Sequence, residues 1–260
     1  MAKTFESEDE VKSHANRFSL QGRVAVVTGG GRGIGRAIAC GFRDAGATVA
    51  VLDVADNTGI EQGIATYRCD VTSETSVDSA LNRVAEDLGM TDILVNNAGI
   101  NVLGPAASYP TATWQKILDI NLTGAFFCAR HVGAALIDAG RSGRIINIAS
   151  VMGHVGPNMH TAVAYSAAKA GMLGLTRALA VEWSKHSINV NAICPGMILT
   201  DLTASRMTDK NYELATLQRI PNGRFGSSDD LVGAAIYLAS PAADLVTGHA
   251  LNVDGGWMAA

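Results

Sequence analysis

The sequence has few aromatic and few charged residues, and this composition excludes several classes of protein. Aromatic residues make up 5% and charged residues 17% of the 260-residue chain, and the formal net charge is -4. No stripe of Lys and Arg runs along the chain, so nucleic acid is not expected as a partner. Because 48% of the residues are hydrophobic, the chain can bury a substantial core.

Paired cysteines and clustered metal ligands are also missing. The four cysteines, Cys40, Cys69, Cys128 and Cys194, are far apart, and none belongs to a C-x-x-C pair. Reduced, buried thiols are therefore expected. The histidines lack the spacing of zinc ligands, so no metal site is predicted.

Neither a secretory signal nor a run of membrane-spanning length is recognisable. The stretch from Met1 to Arg17 mixes Lys, Glu, Asp and Ser without an apolar segment. No window approaches the roughly 18 consecutive apolar residues that a membrane span needs. We therefore expect a cytoplasmic protein without a membrane partner. Residues 1–19 are predicted to be an N-terminal extension and residues 20–260 a single domain, because no linker-like stretch divides them.

Apolar runs of strand length alternate with longer segments of helical period. This alternation predicts an α/β protein, a single Rossmann-like domain in which helices cover both faces of a doubly wound parallel sheet. The predicted strands cover residues 24–28, 48–53, 66–70, 93–96, 144–148, 189–194 and 250–253. The predicted helices cover residues 35–45, 76–88, 113–139, 165–185 and 229–239. Residues 200–226 are polar and poorly periodic, which is typical of a lid or of a surface loop.

A glycine-rich segment follows the first predicted strand directly. Residues 28–35 read TGGGRGIG, and a predicted helix begins at their end. A backbone without side chains can approach a pyrophosphate, which the positive end of the helix attracts. The position of this loop between the first strand and the first helix predicts a dinucleotide site.

Two residues bear on which dinucleotide binds. Asp53 ends the second predicted strand, about 18 positions beyond Gly35. A carboxylate there can accept hydrogen bonds from an adenosine ribose and would repel a 2′-phosphate, which favours NAD over NADP. Arg32 lies in the loop and could instead pair with a 2′-phosphate. We give the carboxylate more weight, because two like charges in a partly desolvated site are costly.

Polar residues also stand at the ends of the third and fourth predicted strands. Asp70 and Val71 could bracket an adenine ring, although Asp70 could equally lead the next helix without a ligand. Residues 96–99 read NNAG. Their side-chain amides could contact a ribose or could tie adjacent strand ends together.

Tyr165 and Lys169 form the most informative pair in the chain. Four residues apart on a helix, they lie one turn above each other. A lysine ammonium favours the ionised form of a nearby phenol, so the tyrosine could exchange protons close to neutral pH. Ser150 follows an apolar strand, where its hydroxyl could hold a substrate oxygen. On an arbitrary helix such a pair is more often a solvated face with a snorkelling lysine.

These motifs in this order resemble the classical short-chain dehydrogenase/reductase family, and the match runs from about residue 20 to residue 260. The resemblance implies a catalytic tetrad and a set of cofactor contacts. The implied tetrad is Asn121, Ser150, Tyr165 and Lys169, with Asn121 holding a water that connects the lysine to solvent. The implied contacts to the cofactor phosphates are Thr28, Gly29, Gly33, Ile34 and Gly35. The further cofactor contacts are Arg32, Asp53, Asp70, Val71, Asn97, Ala98, Gly99, Tyr165, Lys169, Pro195, Gly196, Ile198 and Thr200.

The family also implies a reaction, an assembly and a kind of substrate. The reaction is hydride transfer between a carbinol carbon and a nicotinamide, and the assembly is a homotetramer held by the long helices and the last strand. The C-terminal segments look like those of family members that act on sugar acids and sugar alcohols, so a small polyol is our first expectation. The candidate substrate contacts are Met152, His154, His160, Arg224 and Trp257. Arg224 could instead be a structural ion-pair partner, His154 a satisfied loop residue and Trp257 an anchor at a subunit interface.

Two alternatives stay open at this point. A reductase of 3-oxoacyl thioesters shares nearly all of these motifs and commonly uses NADPH, which Arg32 would favour. A non-catalytic protein that senses dinucleotides belongs to another class, and the complete tetrad argues against it.

Overall fold

The computed structural model describes residues 16–55, 61–156, 161–204 and 208–260. Its centre is a seven-stranded sheet of order β3-β2-β1-β4-β5-β6-β7, in which every neighbouring pair of strands is parallel. The strands are β1 (Val24–Thr28), β2 (Thr48–Asp53), β3 (Ile64–Arg68), β4 (Ile93–Asn96), β5 (Gly143–Ile148), β6 (Ile188–Pro195) and β7 (Ala250–Val253). The predicted fold class is confirmed.

The helices lie in two layers on the faces of the sheet. They are α1 (Gly33–Asp44), α2 (Glu74–Leu88), α3 (Thr111–Asp138), α4 (Val163–Trp183), α5 (Asp201–Ala204), α6 (Lys210–Leu217) and α7 (Val232–Ala239). Short 3-10 turns cover Ala106–Ser108, Val151–Gly153, Ser184–His186, Ser228–Leu231 and Pro241–Ala243. On one face α1 and α7 bury side chains such as Phe42 and Leu238. On the other, α2, α3 and α4 bury side chains such as Val84, Leu136 and Trp183.

Burial on both faces explains the strand sequences. Every residue of β1, β4 and β6 is buried, and these strands read as nearly continuous apolar runs, as central strands of parallel sheets do. The carboxyl ends of parallel strands lie along one edge of the sheet, so the loops that follow them are brought together. In open α/β sheets the ligand binds at that edge.

The bounds of several predicted segments differ from the observed ones by one to three residues, and two differences have a clear local cause. Strand β3 begins and ends two residues earlier than predicted, because Asp70 belongs to a turn in which its Oδ1 accepts a hydrogen bond from the Thr72 amide at 2.9 Å. The polar segment 200–226 contains α5 and α6, which periodicity did not indicate. Helix α6 begins where Asp209 Oδ1 accepts from the amides of Asn211 and Tyr212, and it buries little beyond Thr216.

Helix α3 is interrupted by a π-helical turn and is unusually apolar. The turn covers Asp119–Thr123, between α-helical segments Thr111–Leu118 and Gly124–Asp138. By length and composition alone the 28-residue helix could cross a membrane, with a mean hydropathy of 1.3. In the structure 44% of that window is buried, since the helix covers one face of the sheet. The π-helical turn places Asn121 in the interior.

The last residues of the predicted N-terminal extension contact the domain. Arg17 Nη2 donates a hydrogen bond to the carbonyl oxygen of Pro241 at 3.0 Å, and the rings of Phe18 and Tyr237 lie 6.4 Å apart. Leu20, where the predicted domain begins, is fully buried. Residues 1–15 of the predicted extension lie outside the described residues.

We expect Asp92→Ala to destabilise the fold without altering the edge of the sheet where the carboxyl ends of the strands lie. The buried Asp92 carboxylate accepts from the Val24 amide at 3.0 Å and from Arg141 Nη2 at 2.6 Å, at the opposite, amino end of the strands. Its removal leaves a buried amide unpaired and should lower the free energy of unfolding by about 2–4 kcal/mol. Urea unfolding at fixed protein concentration measures this. Glu86→Ala, at an exposed carboxylate on α2, is the control, and an equal loss in both variants contradicts the expectation.

Candidate active site

At Gly29 and Gly35 the glycine loop after β1 is packed so closely that side chains would not fit. A Cβ at Gly29, whose φ is +61°, would lie 2.8 Å from Ala98 Cα. A Cβ at Gly35 would collide with Asn97 Nδ2. Gly33 opens α1, and its Cβ position is 3.7 Å from the Thr200 methyl group. The loop therefore leaves bare backbone facing the segment after β6, which fits a bound pyrophosphate.

Hydrogen bonds tie the ends of β1 and β4 together behind this loop. Asn97 Nδ2 donates to the carbonyl oxygens of Thr28 and Gly29, both at 2.9 Å. The hydroxyl of Thr28 accepts from the amides of Asn97 at 3.0 Å and Ala98 at 3.1 Å. Asn97 and Thr28 thus join two adjacent strand ends, which is the structural one of the two alternatives that the sequence left open for the NNAG segment. Gly99 is packed against the Asn121 side chain.

Asp53 contacts the glycine loop, and Arg32 belongs to it. Asp53 Oδ2 accepts from the Gly31 amide at 3.1 Å, so the carboxylate lies against the loop at the end of β2. Arg32 Nη1 lies 3.3 Å from Asp201 Oδ2, and both side chains are largely exposed. Each predicted determinant of cofactor choice is therefore close to the loop, but the arginine already has an acidic neighbour.

Asp70 and Val71 have local packing functions. Asp70 is exposed, and its Oδ1 accepts from the amide and the hydroxyl of Thr72, as in the ligand-free alternative. Val71 is buried, and its side chain lies 2.9 Å from the Cβ position of Gly124. It therefore fixes the start of the second segment of α3 beside β4.

The segment after β6 forms the opposite side of the cleft. The Gly196 amide donates to the Val253 carbonyl oxygen at 3.1 Å. Ile198 forms a bridge with Gly226, and the Thr200 amide donates to Thr203 Oγ1 at 2.9 Å. Pro195 ends β6 itself. These bonds hold the predicted cofactor contacts in a fixed position against the glycine loop.

Ser150 and Tyr165 line one cavity. Ser150 follows β5, and its Oγ accepts from the Met152 amide at 3.1 Å, which begins a 3-10 turn. Tyr165 stands in the first turn of α4. Lys169, one turn further, places its Nζ 5.4 Å from the centroid of the Tyr165 ring. The structure thus brings together the three side chains that the sequence singled out.

Lys169 is buried, with 3% of its surface exposed. Its Nζ donates to the carbonyl oxygen of Ile148 at 2.7 Å. Burial lowers the pKa of Lys169 to about 8, because desolvation disfavours the charged form. Cys194, whose thiol pKa burial raises to about 11, is a neighbour of this ammonium. Lys169 therefore begins to lose its proton only slightly above neutral pH.

Asn121 is the fourth member of the predicted tetrad and is fully buried. Its Nδ2 donates to the carbonyl oxygens of Ile100 at 2.9 Å and Ile117 at 3.0 Å. Its Oδ1 is buried and has no hydrogen-bond partner within the described ranges. The side chain therefore fixes the loop after β4 to α3. An unpartnered buried oxygen is also where a water could bind.

Only some of the predicted substrate contacts line the same cavity. Met152 and Trp257 line the cavity of Ser150 and Tyr165. His154 does not, and its Nε2 lies 3.4 Å from Cys194 Sγ. Arg224 lines another cavity and makes a two-pronged ion pair with Asp230. His160 lies outside the described residues.

The same cavity contains residues that the sequence did not indicate. They are Asn101, Met197 and Thr203. Asn101 stands two residues beyond the NNAG segment, and Thr203 belongs to the unpredicted helix α5. No spacing rule marks either one, because they reach the site through the juxtaposition of the β4, β5 and β6 ends.

Comparison with known proteins gives the family. A family model described as enoyl-(acyl carrier protein) reductase matches residues 29–258. A 2-dehydro-3-deoxy-D-gluconate 5-dehydrogenase of Escherichia coli is 38% identical over 249 residues, covering 93% of this chain and 98% of the relative. The chain belongs to the short-chain dehydrogenase/reductase family. This protein is therefore an NAD(P)-dependent oxidoreductase.

Two further relatives of this oxidoreductase differ in the activities their names give. A D-threitol dehydrogenase of Mycolicibacterium smegmatis is 39% identical over 249 residues, covering 92% of this chain and 94% of the relative. The crystal structure of a gluconate 5-dehydrogenase from Burkholderia cenocepacia, in complex with NADP and tartrate, has a TM-score of 0.91 and 34% identity. The alignment covers 95% of this chain and 99% of the chain in that structure. The family thus includes relatives named for polyols and for sugar acids.

We expect Lys169→Met to keep or raise the melting temperature of the cofactor-free dehydrogenase at pH 7. Methionine fills a similar space without burying a charge. The folded protein binds fewer protons than the unfolded chain between pH 8, the pKa of Lys169, and about pH 10, its ordinary value. Wild type should therefore gain stability relative to the variant as the pH rises through that window.

Thermal unfolding at pH 7 to 10 tests this expectation. Lys185→Met, at an exposed lysine just beyond α4, is the matched control and should leave the pH dependence unchanged. If the melting temperature of wild type falls relative to that of Lys169→Met as the pH rises, the burial argument is contradicted.

Proposed function

We propose that this oxidoreductase oxidises a secondary alcohol of a small sugar alcohol to the ketone, and that it prefers NAD. The main observation is the cavity in which Ser150 and Tyr165 meet. Its other described lining residues are Asn101, Thr203 and apolar side chains, and no charged side chain lines it within the described ranges. Such a cavity suits a neutral polyol.

The two hydroxyl groups would hold the reacting oxygen. Ser150 Oγ would donate a hydrogen bond to that oxygen as it becomes carbonyl-like. Tyr165 would take the hydroxyl proton in oxidation and return it in reduction. A nicotinamide dinucleotide would accept or supply the hydride when bound. The protein's own contribution is to position the alcohol and to move its proton.

Lys169 would assist the tyrosine electrostatically. Its ammonium lies against the Tyr165 ring and is fixed by the Ile148 carbonyl oxygen. A positive charge there favours a phenolate over a phenol. Because the pKa of Lys169 is about 8, this support is present below that pH and weakens above it in the cofactor-free protein.

The preference for NAD rests on charge at the end of β2. The Asp53 carboxylate contacts the glycine loop, where a ribose 2′-phosphate would bring a like charge close to it. Arg32 is near Asp201, and Arg36 Nη2 lies 2.6 Å from Glu61 Oε1. The basic side chains beside the loop are thus already offset by acids. The NADP-bound relative is the contrary observation, and the test below decides between the two cofactors.

A neutral substrate is supported over a sugar acid by the described cavity lining. A sugar-acid carboxylate usually pairs with Arg, Lys or His. Of the basic candidates predicted from the sequence, Arg224 and His154 lie outside this cavity, and His160 lies outside the described residues. The D-threitol dehydrogenase relative is in keeping with a four-carbon polyol. The sugar-acid dehydrogenases among the relatives make aldonic acids the second candidate.

A substrate screen tests the reaction and the substrate class together. Tetritols, pentitols, hexitols, aldonic acids and 3-oxoacyl thioesters are assayed with both dinucleotides by absorbance at about 340 nm. We expect turnover of a neutral polyol, and Tyr165→Phe should reduce it by at least about 10³-fold while dinucleotide binding persists. Activity confined to 3-oxoacyl thioesters with NADPH would contradict the proposal and support that reductase.

A single charge change tests the cofactor preference. Asp53→Asn keeps a side-chain oxygen for the loop and removes the negative charge. We expect the ratio of kcat/KM for NAD+ over that for NADP+ to fall by about tenfold or more, equivalent to at least about 1.4 kcal/mol. Asp138→Asn, at an exposed carboxylate that ends α3, is the control. A wild-type ratio below one would overturn the preference.

We also propose that the protein is a cytoplasmic homotetramer. Exposed apolar side chains on the two long helices support association, namely Phe126 on α3 and Val181 on α4, the latter 81% exposed. Isolated apolar side chains at the surface are common, but on long helices they suit interfaces. Light scattering during gel filtration measures the assembly, and fractionation of the source cells tests the location.

A further inference from the structure

The catalytic cavity has a polar side chain with a buried acceptor atom that has no assigned partner. Ser150 and Tyr165 serve the reacting oxygen in the proposed function, on which this inference rests. Thr203 Oγ1 is already engaged, since it donates to the Ile198 carbonyl oxygen at 2.7 Å and accepts from the Thr200 amide. Apart from the Trp257 indole, which can only donate, this leaves Asn101 among the described polar side chains that line the cavity.

The side-chain oxygen of Asn101 is buried and has no hydrogen-bond partner in the described part of the chain. Leaving a buried polar group unpaired costs about 1–3 kcal/mol, so such groups need an explanation. An amide that lines a cavity and becomes paired when the cavity is filled would provide one.

The backbone on both sides of Asn101 is anchored. The Ile100 carbonyl oxygen accepts from Asn121 Nδ2 at 2.9 Å, and the Val102 carbonyl oxygen accepts from the Tyr109 hydroxyl at 2.7 Å. The Gly104 amide donates to the Thr161 carbonyl oxygen. The side chain is thus presented from a fixed loop, and binding need not order the loop first.

We propose that Asn101 binds the substrate hydroxyl next to the reacting carbon and thereby determines the specificity for polyols. Asn101 lines the same cavity as Ser150 and Tyr165, so a small polyol whose reacting oxygen is held by these two hydroxyls presents its neighbouring groups to Asn101. An amide offers both a donor and an acceptor, as a hydroxyl does, whereas a carboxylate can only accept. The match is therefore to a neutral neighbouring hydroxyl.

Kinetics with three alcohols test this assignment. A tetritol has hydroxyls on both sides of the reacting carbon, 2,3-butanediol has one neighbouring hydroxyl, and 2-butanol has none. Wild type should prefer the hydroxylated alcohols over 2-butanol by at least about 100-fold in kcat/KM, because an unfilled polar site rejects the analogue. In Asn101→Leu that preference should fall below about tenfold, through weaker turnover of the polyol.

Further variants separate this role from a structural one. Asn101→Ser keeps a donor and an acceptor and should retain part of the preference. Asn222→Leu makes the same change at an asparagine of the other cavity and should leave the preference intact. Dinucleotide affinity, measured by protein fluorescence, and melting temperature should be unchanged in Asn101→Leu.

The outcomes distinguish this inference from the proposed function. If wild type discriminates and Asn101→Leu discriminates equally, the assignment of Asn101 is wrong while the polyol reaction stands. If wild type oxidises 2-butanol as well as the tetritol, or oxidises none of the alcohols, the polyol function itself fails and the inference fails with it.

Discussion

The ammonium of Lys169, buried and held by one carbonyl oxygen, is the interaction on which the site depends. The Nζ to Ile148 bond of 2.7 Å joins α4 to the end of β5, and Ser150 follows β5 directly. The same bond therefore sets the distance between the helix that carries Tyr165 and the turn that carries Ser150. The desolvation that lowers the pKa of this lysine is the cost of burying a cation away from water.

Side-chain amides preserve this arrangement along the carboxyl edge of the sheet. Asn96 Nδ2 donates to Asn147 Oδ1, and Asn147 Nδ2 donates to Thr176 Oγ1, both at 2.9 Å. This chain connects β4, β5 and α4 through buried groups. Asn97 does the same for β1 and β4. Asn96 Oδ1 has no hydrogen-bond partner among the described residues, but the bonds that are made join buried groups and restrict the site to one geometry. The hydroxyls of Ser150 and Tyr165 are thus held in place before a substrate arrives.

The sequence predicted those features that depend on local pattern. Strands β1, β2, β4 and β7 have the predicted bounds because buried parallel strands are apolar and are ended by turn residues. Helix α6 was not predicted, since its stability comes from the Asp209 cap and not from a buried stripe. The shift of β3 has a similar cause, because the turn at Asp70 competes with strand pairing.

The order of motifs along the chain determined the family, the fold class and the residues suited to proton and hydride chemistry. Only the tertiary structure decided which polar side chains share a cavity. It placed Arg224 on Asp230 and His154 on Cys194, and it placed Asn101 beside Ser150 and Tyr165. The reason is that chemical type and helical spacing are local properties, whereas a cavity is formed by loops after β4, β5 and β6 whose positions depend on packing of the whole sheet.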